Sequence, residues 1–233
     1  MKKILILSVI GFILLLDLSF AQSGREYRKA GLHNGNRVKT VFGNWGVIGQ
    51  PASMGRRGAW IHDNNGYVGD VSLFVGAEVR DPATGRVFHS VVTCPVDRPT
   101  RLPDESPSGQ KWTFEPVAGY DNPKGQSIAI STDPSTWPEF WPDKLNDASD
   151  PGWRGSWNGY FGKEPQADQE SIFMMDDNND ERFNYANNNS LGVAFKPDQR
   201  NLSRNGLGLE VKVRGLQWSQ FLAQDNIFYT FQL

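Results

Sequence analysis

Apolar and polar residues alternate with a period of two in several stretches, and this pattern restricts the fold more than any other feature of the chain. In "DVSLFVGAEV" the residues on one side are all apolar: Val71, Leu73, Val75, Ala77 and Val79. The β-branched stretch "VFHSVVTC" follows after "RDPATGR", where Pro82 and Gly85 favour a turn. The sequence therefore predicts a β-hairpin formed by residues 70–79 and 87–94.

A second hairpin is predicted near the end of the chain. In "GLGLEVKVRGLQW" the odd-numbered positions from 207 to 213 are apolar, whereas Leu216 and Trp218 are even-numbered. A shift of one residue would reconcile the two halves, so we expect a β-bulge at Gly215. The stretch "DNIFYTFQL" alternates again and predicts the returning strand.

The remaining pattern favours an all-β domain. Short strands are predicted at residues 38–42, 111–117, 127–131, 171–175 and 191–195. No stretch after residue 21 keeps a helical period, and the 24 Gly and 14 Pro residues of the chain would interrupt helices repeatedly. We expect one domain over residues 22–233, an antiparallel β-sandwich with long loops rich in Pro, Gly and Trp, with a β-barrel as the alternative.

The N-terminus is typical of a secretory signal peptide. Lys2 and Lys3 precede an uncharged aliphatic run, and Ala21 closes a segment with small residues at the positions that signal peptidase inspects. Residues 4–20 contain Asp17 and are shorter than the ~20 apolar residues of a spanning helix. We expect cleavage after Ala21, a secreted, periplasmic or cell-surface location, and no transmembrane segment in the mature chain.

Charge and cysteine content exclude other classes. Removal of residues 1–21 leaves 22 basic and 25 acidic residues, a net charge of −3, which argues against a nucleic-acid partner. Cys94 is the one cysteine, so no intramolecular disulfide can form, and the 212 mature residues must be held by a hydrophobic core. The apolar context "HSVVTCPV" predicts that Cys94 belongs to that core.

An acidic loop, "MMDDNNDERF", is a candidate calcium site. Asp176, Asn178 and Asp180 stand at alternate positions, and calcium prefers carboxylate, amide and carbonyl oxygens. An EF-hand is excluded, because Glu181 stands where that loop requires Gly and Asn187 where it requires Glu. A polar β-turn is the alternative, since Asp and Asn tolerate left-handed backbone geometry.

A loop-like segment between residues 133 and 165 concentrates large aromatic residues. Four tryptophans are candidate ligand-binding residues because flat rings stack on the apolar faces of sugars: Trp137, Trp141, Trp153 and Trp157. The alternative is that these rings pack as a small core of their own, since large aromatic side chains usually bury most of their area.

Nothing in the sequence has the spacing of a catalytic site. His33, His62 and His89 lack zinc-ligand spacing, and no nucleophile elbow is present. Four acids could serve a glycosidase in principle, but they show no spacing that pairs them: Glu139, Glu164, Asp168 and Glu170. We assign no catalytic residue.

Three stretches carry a resemblance to a known group of proteins: "KAGLHNGNRVKTVFGNWGVIG", "SIFMMDDNNDERFNY" and "GLGLEVKVRGLQWSQFLAQDNIFYTFQL". They resemble the N-terminal region of large uncharacterised secreted proteins from bacteria that use type IX secretion. The resemblance implies export and further β domains in the same chain, and it assigns no chemistry to any residue.

The chain ends within an apolar strand, "IFYTFQL", that has no Lys, Pro or bulge to protect an open edge. We expect this strand to be central in its sheet or covered by sequence beyond Leu233. Three function classes follow: a non-catalytic β domain with a structural or adhesive role, a carbohydrate-binding module that uses the Trp-rich segment on an extracellular glycan, and, least favoured, a hydrolase.

Overall fold

The computed structural model describes residues 24–82, 84–95, 113–178 and 196–233. Within these residues the helices are 3₁₀ turns of three residues each, at Arg25–Tyr27, Ala52–Met54, Pro134–Thr136, Pro142–Lys144 and Pro151–Trp153. The strands are β1 (Ala30–His33), β2 (Val38–Gly43), β3 (Val47–Ile48), β4 (Ala59–Trp60), β5 (Val71–Ser72), β6 (Phe74–Arg80), β7 (Val87–Thr93), β8 (Glu115–Pro116), β9 (Gln169–Asp176), β10 (Glu210–Gln217) and β11 (Phe228–Gln232). The predicted all-β class is confirmed.

These strands form three antiparallel sheets. The first has the order β1-β2-β3-β5, with β4 paired to β2, and the second has the order β11-β10-β9-β8. The third is the hairpin of β6 and β7. The sheets are open and do not close into a barrel, which fits the predicted sandwich.

The main core lies where the sheets face one another. The rings of Phe42 on β2 and Phe173 on β9 stack with their centroids 6.2 Å apart. The odd-numbered side chains of β9 and β10 join them, together with Val79, Val92 and Cys94 from the hairpin side. Each such large apolar side chain contributes about 1.5–3 kcal/mol by leaving water, so this cluster compensates for the absence of disulfides.

A second core covers the opposite face of the second sheet. The even-numbered Ile172 and Met174 of β9 pack with Trp141 and Trp157 from the Trp-rich segment. All eight residues of β9 are therefore buried, because a sheet covers one face and a loop layer covers the other. The Trp-rich segment acts as a third layer of the fold.

Most strand predictions agree with this architecture. The strands at 38–42 and 171–175 are present as parts of β2 and β9, and both predicted hairpins form, although residues 71–72 separate from the first hairpin as β5 and pair with β3. Of residues 111–117, β8 covers only Glu115–Pro116, and 111–112 lie outside the described residues. The strand predicted at 191–195 also lies outside them.

The strand predicted at residues 127–131 is wrong. This segment makes only isolated bridges, because its backbone contact with β9 is confined to residues 129–131 and the backbone groups of Ile130 bond elsewhere. The amide of Ile130 donates to Oγ1 of Thr136 at 2.9 Å, and the carbonyl of Ile130 accepts from the indole of Trp137 at 2.7 Å.

The β-bulge predicted at Gly215 is also wrong. The register of β10 runs without interruption against β9 and against β11, with Gly215 opposite Ser171 and Tyr229. The odd-numbered face stays inward, but its character changes from apolar Val211 and Val213 to Gly215 and the buried amide of Gln217. The change in the sequence pattern reflects this polar patch in the core and not a break in the strand.

The final strand is not central. Within the described residues β11 pairs with β10 alone and forms one edge of its sheet, while the two-residue β8 forms the other. Its inner face, which includes Tyr229 and Phe231, packs partly against the main core.

Candidate binding surface

The four predicted ligand-binding tryptophans do not form one platform. Trp141 and Trp157 are buried, with their rings in edge contact at 5.5 Å, whereas Trp137 and Trp153 are half-buried beside them. Trp137 lies 5.4 Å from Trp157 between ring centroids. The arrangement is that of a core with two partly open members.

The indole N–H groups of these tryptophans are all engaged inside the protein. Trp141 donates to the carbonyl of Ser156 at 2.9 Å, and Trp157 donates to Oε2 of Glu170 at 2.7 Å. Trp153 donates to Asp147, and the ammonium of Lys144 lies 4.5 Å from its ring centroid. A ligand at Trp153 would have to displace this cation–π contact. Sugar binding by the segment stays a prediction.

The acidic loop is organised around an arginine. Arg204 Nη1 lies 3.1 Å from Oδ2 of Asp176, and Nη2 lies 3.6 Å from Oδ1 of Asp177. Asp177 also accepts hydrogen bonds from the amides of Leu207 and Leu209, at 2.5 and 3.0 Å. The guanidinium thus supplies the positive charge that the two carboxylates require.

Burial raises the pKa of Asp177 to about 6, because desolvation outweighs the bonds and the charge of Arg204 that favour the anion. The pKa of Asp176 is raised by the same cause. Asn178 accepts from the amide of Asn205, and Asp180 lies outside the described residues. The part of the chain that the structure describes has no group of three or more His, Cys, Asp or Glu side chains arranged to hold a metal. Calcium binding at Asp176, Asn178 and Asp180 stays a prediction.

A buried polar cluster links the first sheet to the second. Nε2 of His33 lies 2.9 Å from Oγ of Ser171, and Nδ1 lies 3.2 Å from Oε1 of Gln217. All three side chains are fully buried. Burial lowers the pKa of His33 to about 4, with the Gln217 bond opposing the shift. The Ser–His pair is sealed from solvent and has a neutral amide where a nucleophilic triad has a carboxylate, so it is a structural element.

Three of the four acids considered for glycosidase chemistry are separately engaged. Oε1 of Glu139 lies 2.7 Å from Arg154, Asp168 accepts from the amide and hydroxyl of Ser219, and Glu170 accepts from Trp157 and two backbone amides. Within the described residues these three carboxylates share no contact partner.

The surface that stands out consists of exposed apolar residues on two segments, one that follows from the end of β4 and one that precedes β11, which we call the apolar rim. Its members are Trp60 (46 % exposed), Ile61 (49 %), Tyr67 (70 %), Phe221 (83 %) and Leu222 (85 %). Exposed apolar residues that are grouped in this way mark interaction sites more often than singly scattered ones do.

The two segments of the rim are tied together by hydrogen bonds. The indole of Trp60 donates to Oδ1 of Asp225 at 2.8 Å. The turn between β1 and β2 bridges the same two segments, because the amide of Ile61 donates to the carbonyl of Arg37 at 2.9 Å and the amide of Arg37 donates to the carbonyl of Gln224 at 3.0 Å. Asn36 reaches the carbonyl of Asn226 at 2.7 Å. Ile61 has φ of 62°, a left-handed conformation that is costly for a β-branched residue. Such strain persists where the surrounding structure enforces it, often at functional sites.

A groove runs from the rim along the open side of the sandwich. Its main part encloses about 400 Å³ between β11 and the first sheet, and its lining is mainly apolar: Val38, Ile48, Val68, Val71, Ile227 and Phe231. An adjoining depression of about 290 Å³ shares Val38 and Gly58 with it and reaches Trp60, Tyr67 and Asp225. The apolar floor and the aromatic end are the usual features of a binding pocket.

Sequence reasoning missed the rim. The stretch "AWIHDNNGY" predicts no strand and contributes only His62 to the residues considered above, and "SQFLAQ" lies between the two predicted strands of the second hairpin. The available signal was the presence of large apolar residues inside polar, turn-rich stretches, where no core position is expected.

Comparisons with protein-family models, with curated proteins and with solved structures found no match to this chain. None of the helices in the described ranges has the length and apolar character needed to cross a bilayer.

Proposed function

We propose that this protein is a non-catalytic β domain of a secreted or cell-surface protein, with an adhesive role exercised through the apolar rim and its groove. The observation that carries the proposal is the exposure of five large apolar side chains on two segments that hydrogen bonds hold together. Exposing these side chains costs solubility, and their aromatic members have the chemistry of binding hot spots.

Export is part of the proposal. The segment from Lys2 to Ala21 supports it, as does the resemblance to exported proteins of bacteria that use type IX secretion. Expression in a bacterial host followed by N-terminal sequencing tests this directly. We expect Gln22 as the first residue of the purified protein. A product that still begins with Met1 in a host able to export it contradicts the assignment.

The ligand test uses two sets of immobilised probes, a panel of insoluble and arrayed polysaccharides and a panel of extracellular matrix proteins. We expect retention on at least one probe, and a loss of about tenfold or more in affinity on Trp60→Ala or Tyr67→Ala, since a central aromatic contact contributes about 2 kcal/mol or more. Phe161→Ala is the control, because Phe161 is an aromatic residue outside the rim that is even more exposed than Trp60 and Tyr67. Equal losses in all three variants, or no retention on any probe, count against the rim.

A second candidate function, carbohydrate binding by the Trp-rich segment, is favoured by a separate observation. Trp137 and Trp153 are only half-buried, and the highly exposed Tyr160 and Phe161 form an edge-to-face pair with centroids 4.8 Å apart in the same segment. If this candidate is correct, polysaccharide retention falls on Phe161→Ala and Tyr160→Ala and is unchanged by Trp60→Ala.

A further inference from the structure

The free edge of β11 differs from the other edge of the same sheet. Within the described part of the chain, β11 forms backbone hydrogen bonds with β10 alone, so its outward-facing N–H and C=O groups have no protein partner. The opposite edge, β8, has two residues and contains Pro116. A short strand with a proline is a protected edge, whereas β11 has neither feature.

The side chains of β11 add no protection either. Phe228–Gln232 reads "FYTFQ" and contains no charged residue. Phe228, Thr230 and Gln232 are exposed on the outer face, and the inner-face Tyr229 and Phe231 are only half-buried. Natural edges usually carry Lys, Pro or a bulge to prevent pairing with another chain. Among the residues that the structure describes, none pairs with this edge or protects it with a charge.

We propose that β11 is a self-association edge, where a second copy of this chain adds its own β11 antiparallel and extends the second sheet across a two-fold axis. Antiparallel pairing suits two identical strands, because a two-fold axis perpendicular to the sheet brings the same edge of each copy together and keeps inner faces on one side. An extended strand presents backbone donors and acceptors at the same spacing as this edge, so it can form regular hydrogen bonds along the whole row.

The register follows from the length of the strand. Centring the axis on Thr230 pairs all five residues, and any other centre leaves some of them unpaired. In this register Thr230 lies opposite Thr230 of the partner subunit, and Tyr229 lies opposite Phe231 of the partner subunit. Aromatic pairs and threonine pairs across strands each contribute about 0.2–1 kcal/mol. The half-buried aromatic side chains on the inner face of β11 would thereby be buried further by those of the partner subunit.

Charge does not oppose this contact. The chain has a formal net charge of −2, and β11 has no charged side chain, so two copies approach without strong repulsion at the edge. Five paired residues form a small contact, so we expect a dimer that dissociates on dilution.

The test changes only the central residue of the register. Thr230 is exposed, so lysine or aspartate there leaves the monomer folded, which a thermal melt of each variant checks. Thr230→Lys and Thr230→Asp each place two like charges directly opposite one another across the axis, which disfavours pairing. Gln199→Lys makes the same charge change on an exposed loop away from the edge and is the matched control.

Sedimentation equilibrium of the purified full chain provides the measurement. We expect the wild type and Gln199→Lys to approach the mass of two chains as concentration rises, and each Thr230 variant to stay at one. An equimolar mixture of Thr230→Lys and Thr230→Asp should regain the mass of two chains, because lysine then faces aspartate. Any of three outcomes overturns the proposal: the wild type is monomeric, Thr230→Lys dimerises without its partner variant, or the mixture of the two variants stays monomeric.

This inference does not depend on the proposed function. It uses the backbone edge of β11, whereas ligand binding uses the rim, so Trp60→Ala should leave the dimer intact. Failure of the sedimentation test therefore says nothing against the rim, and failure of the ligand test says nothing against the edge.

Discussion

Nδ1 of His33 lies 3.2 Å from Oε1 of Gln217, and this contact fixes which nitrogen of the imidazole carries the proton. The amide nitrogen of Gln217 donates to Oδ1 of Asn36 and to the carbonyl of Val38, so its oxygen faces the ring and accepts. Nδ1 is therefore the donor, and Nε2 accepts from the hydroxyl of Ser171. The cluster is fully satisfied with a neutral histidine and has no group to balance a charged one.

Acid should destabilise the protein through His33. Its folded pKa of about 4 lies below the ordinary histidine value of 6.5, so between these values the unfolded state binds a proton that the folded state does not. This contribution is fully present above pH 6.5 and is lost as the pH falls through about 4, an effect of about 3 kcal/mol. Urea unfolding of the wild type near pH 4 and near pH 6.5 measures this change in the free energy of unfolding, with His33→Gln as the comparison. An equal pH dependence in the wild type and the variant would contradict this assignment.

Asp177 should act in the opposite direction over nearly the same window. Its folded pKa of about 6 lies above the ordinary aspartate value of 3.8, so the folded state binds the proton more tightly, and this contribution is lost as the pH rises through about 6. Its size is again about 3 kcal/mol. Asp177→Asn should remove it, although the amide also weakens the contacts with Leu207, Leu209 and Arg204 at every pH.

The two groups together make a sharper test than either alone. In the wild type their opposing contributions partly cancel, so the stability profile between pH 4 and 6 is flattened. In Asp177→Asn the free energy of unfolding should rise with pH more steeply than in the wild type. In His33→Gln it should rise less steeply than in the wild type, or not at all. If both variants change the slope in the same direction, at least one of the two pKa assignments is wrong.

The strand pattern was predictable where one physical cause determined it. Leu73 to Val79 alternate because one face of the β6–β7 hairpin packs on the core, and that hairpin forms as predicted, whereas Val71 is exposed and pairs with β3. At residues 127–131 the same pattern failed, because Thr136 and Trp137 satisfy the backbone of Ile130 in place of a neighbouring strand. No local pattern shows which side chain will reach back to the backbone.

The candidate site was harder to predict for a related reason. The Trp-rich segment and the rim both place aromatic residues in turn-rich sequence, and only the tertiary packing separates them. Trp157 meets the buried carboxylate of Glu170 and becomes core, whereas Trp60 reaches Asp225 at the surface and stays half exposed. In each case the hydrogen-bond partner lies on another element of the fold. The sequence alone therefore does not show which tryptophan is buried and which is exposed.

Gly215 is required by the close approach of the histidine. A Cβ at residue 215 would meet Nε2 of His33 and would lie 2.8 Å from Oγ of Ser171. Gly215→Ala should therefore destabilise the protein by about 1–3 kcal/mol, the usual cost of overpacking a core. Gly76→Ala is the matched control, since Gly76 also lies in a strand but has no atom within 4 Å of an added Cβ. Equal midpoints of urea unfolding for the two variants would contradict this role for Gly215.

Cys94 should be unreactive in the folded protein and reactive once the sandwich opens. Its thiol is buried in the main core, with Sγ 3.9 Å from the sulfur of Met175, and burial raises its pKa to about 12. Reaction requires the thiolate, so both access and ionisation are suppressed. With a chromogenic disulfide reagent we expect no labelling in buffer and one thiol per chain in denaturant. The labelling rate in buffer should rise in Gly215→Ala more than in Gly76→Ala, because destabilisation of the core populates the open state. Rapid labelling of the untreated wild type would show instead that Cys94 is accessible, and that the sheets do not enclose it.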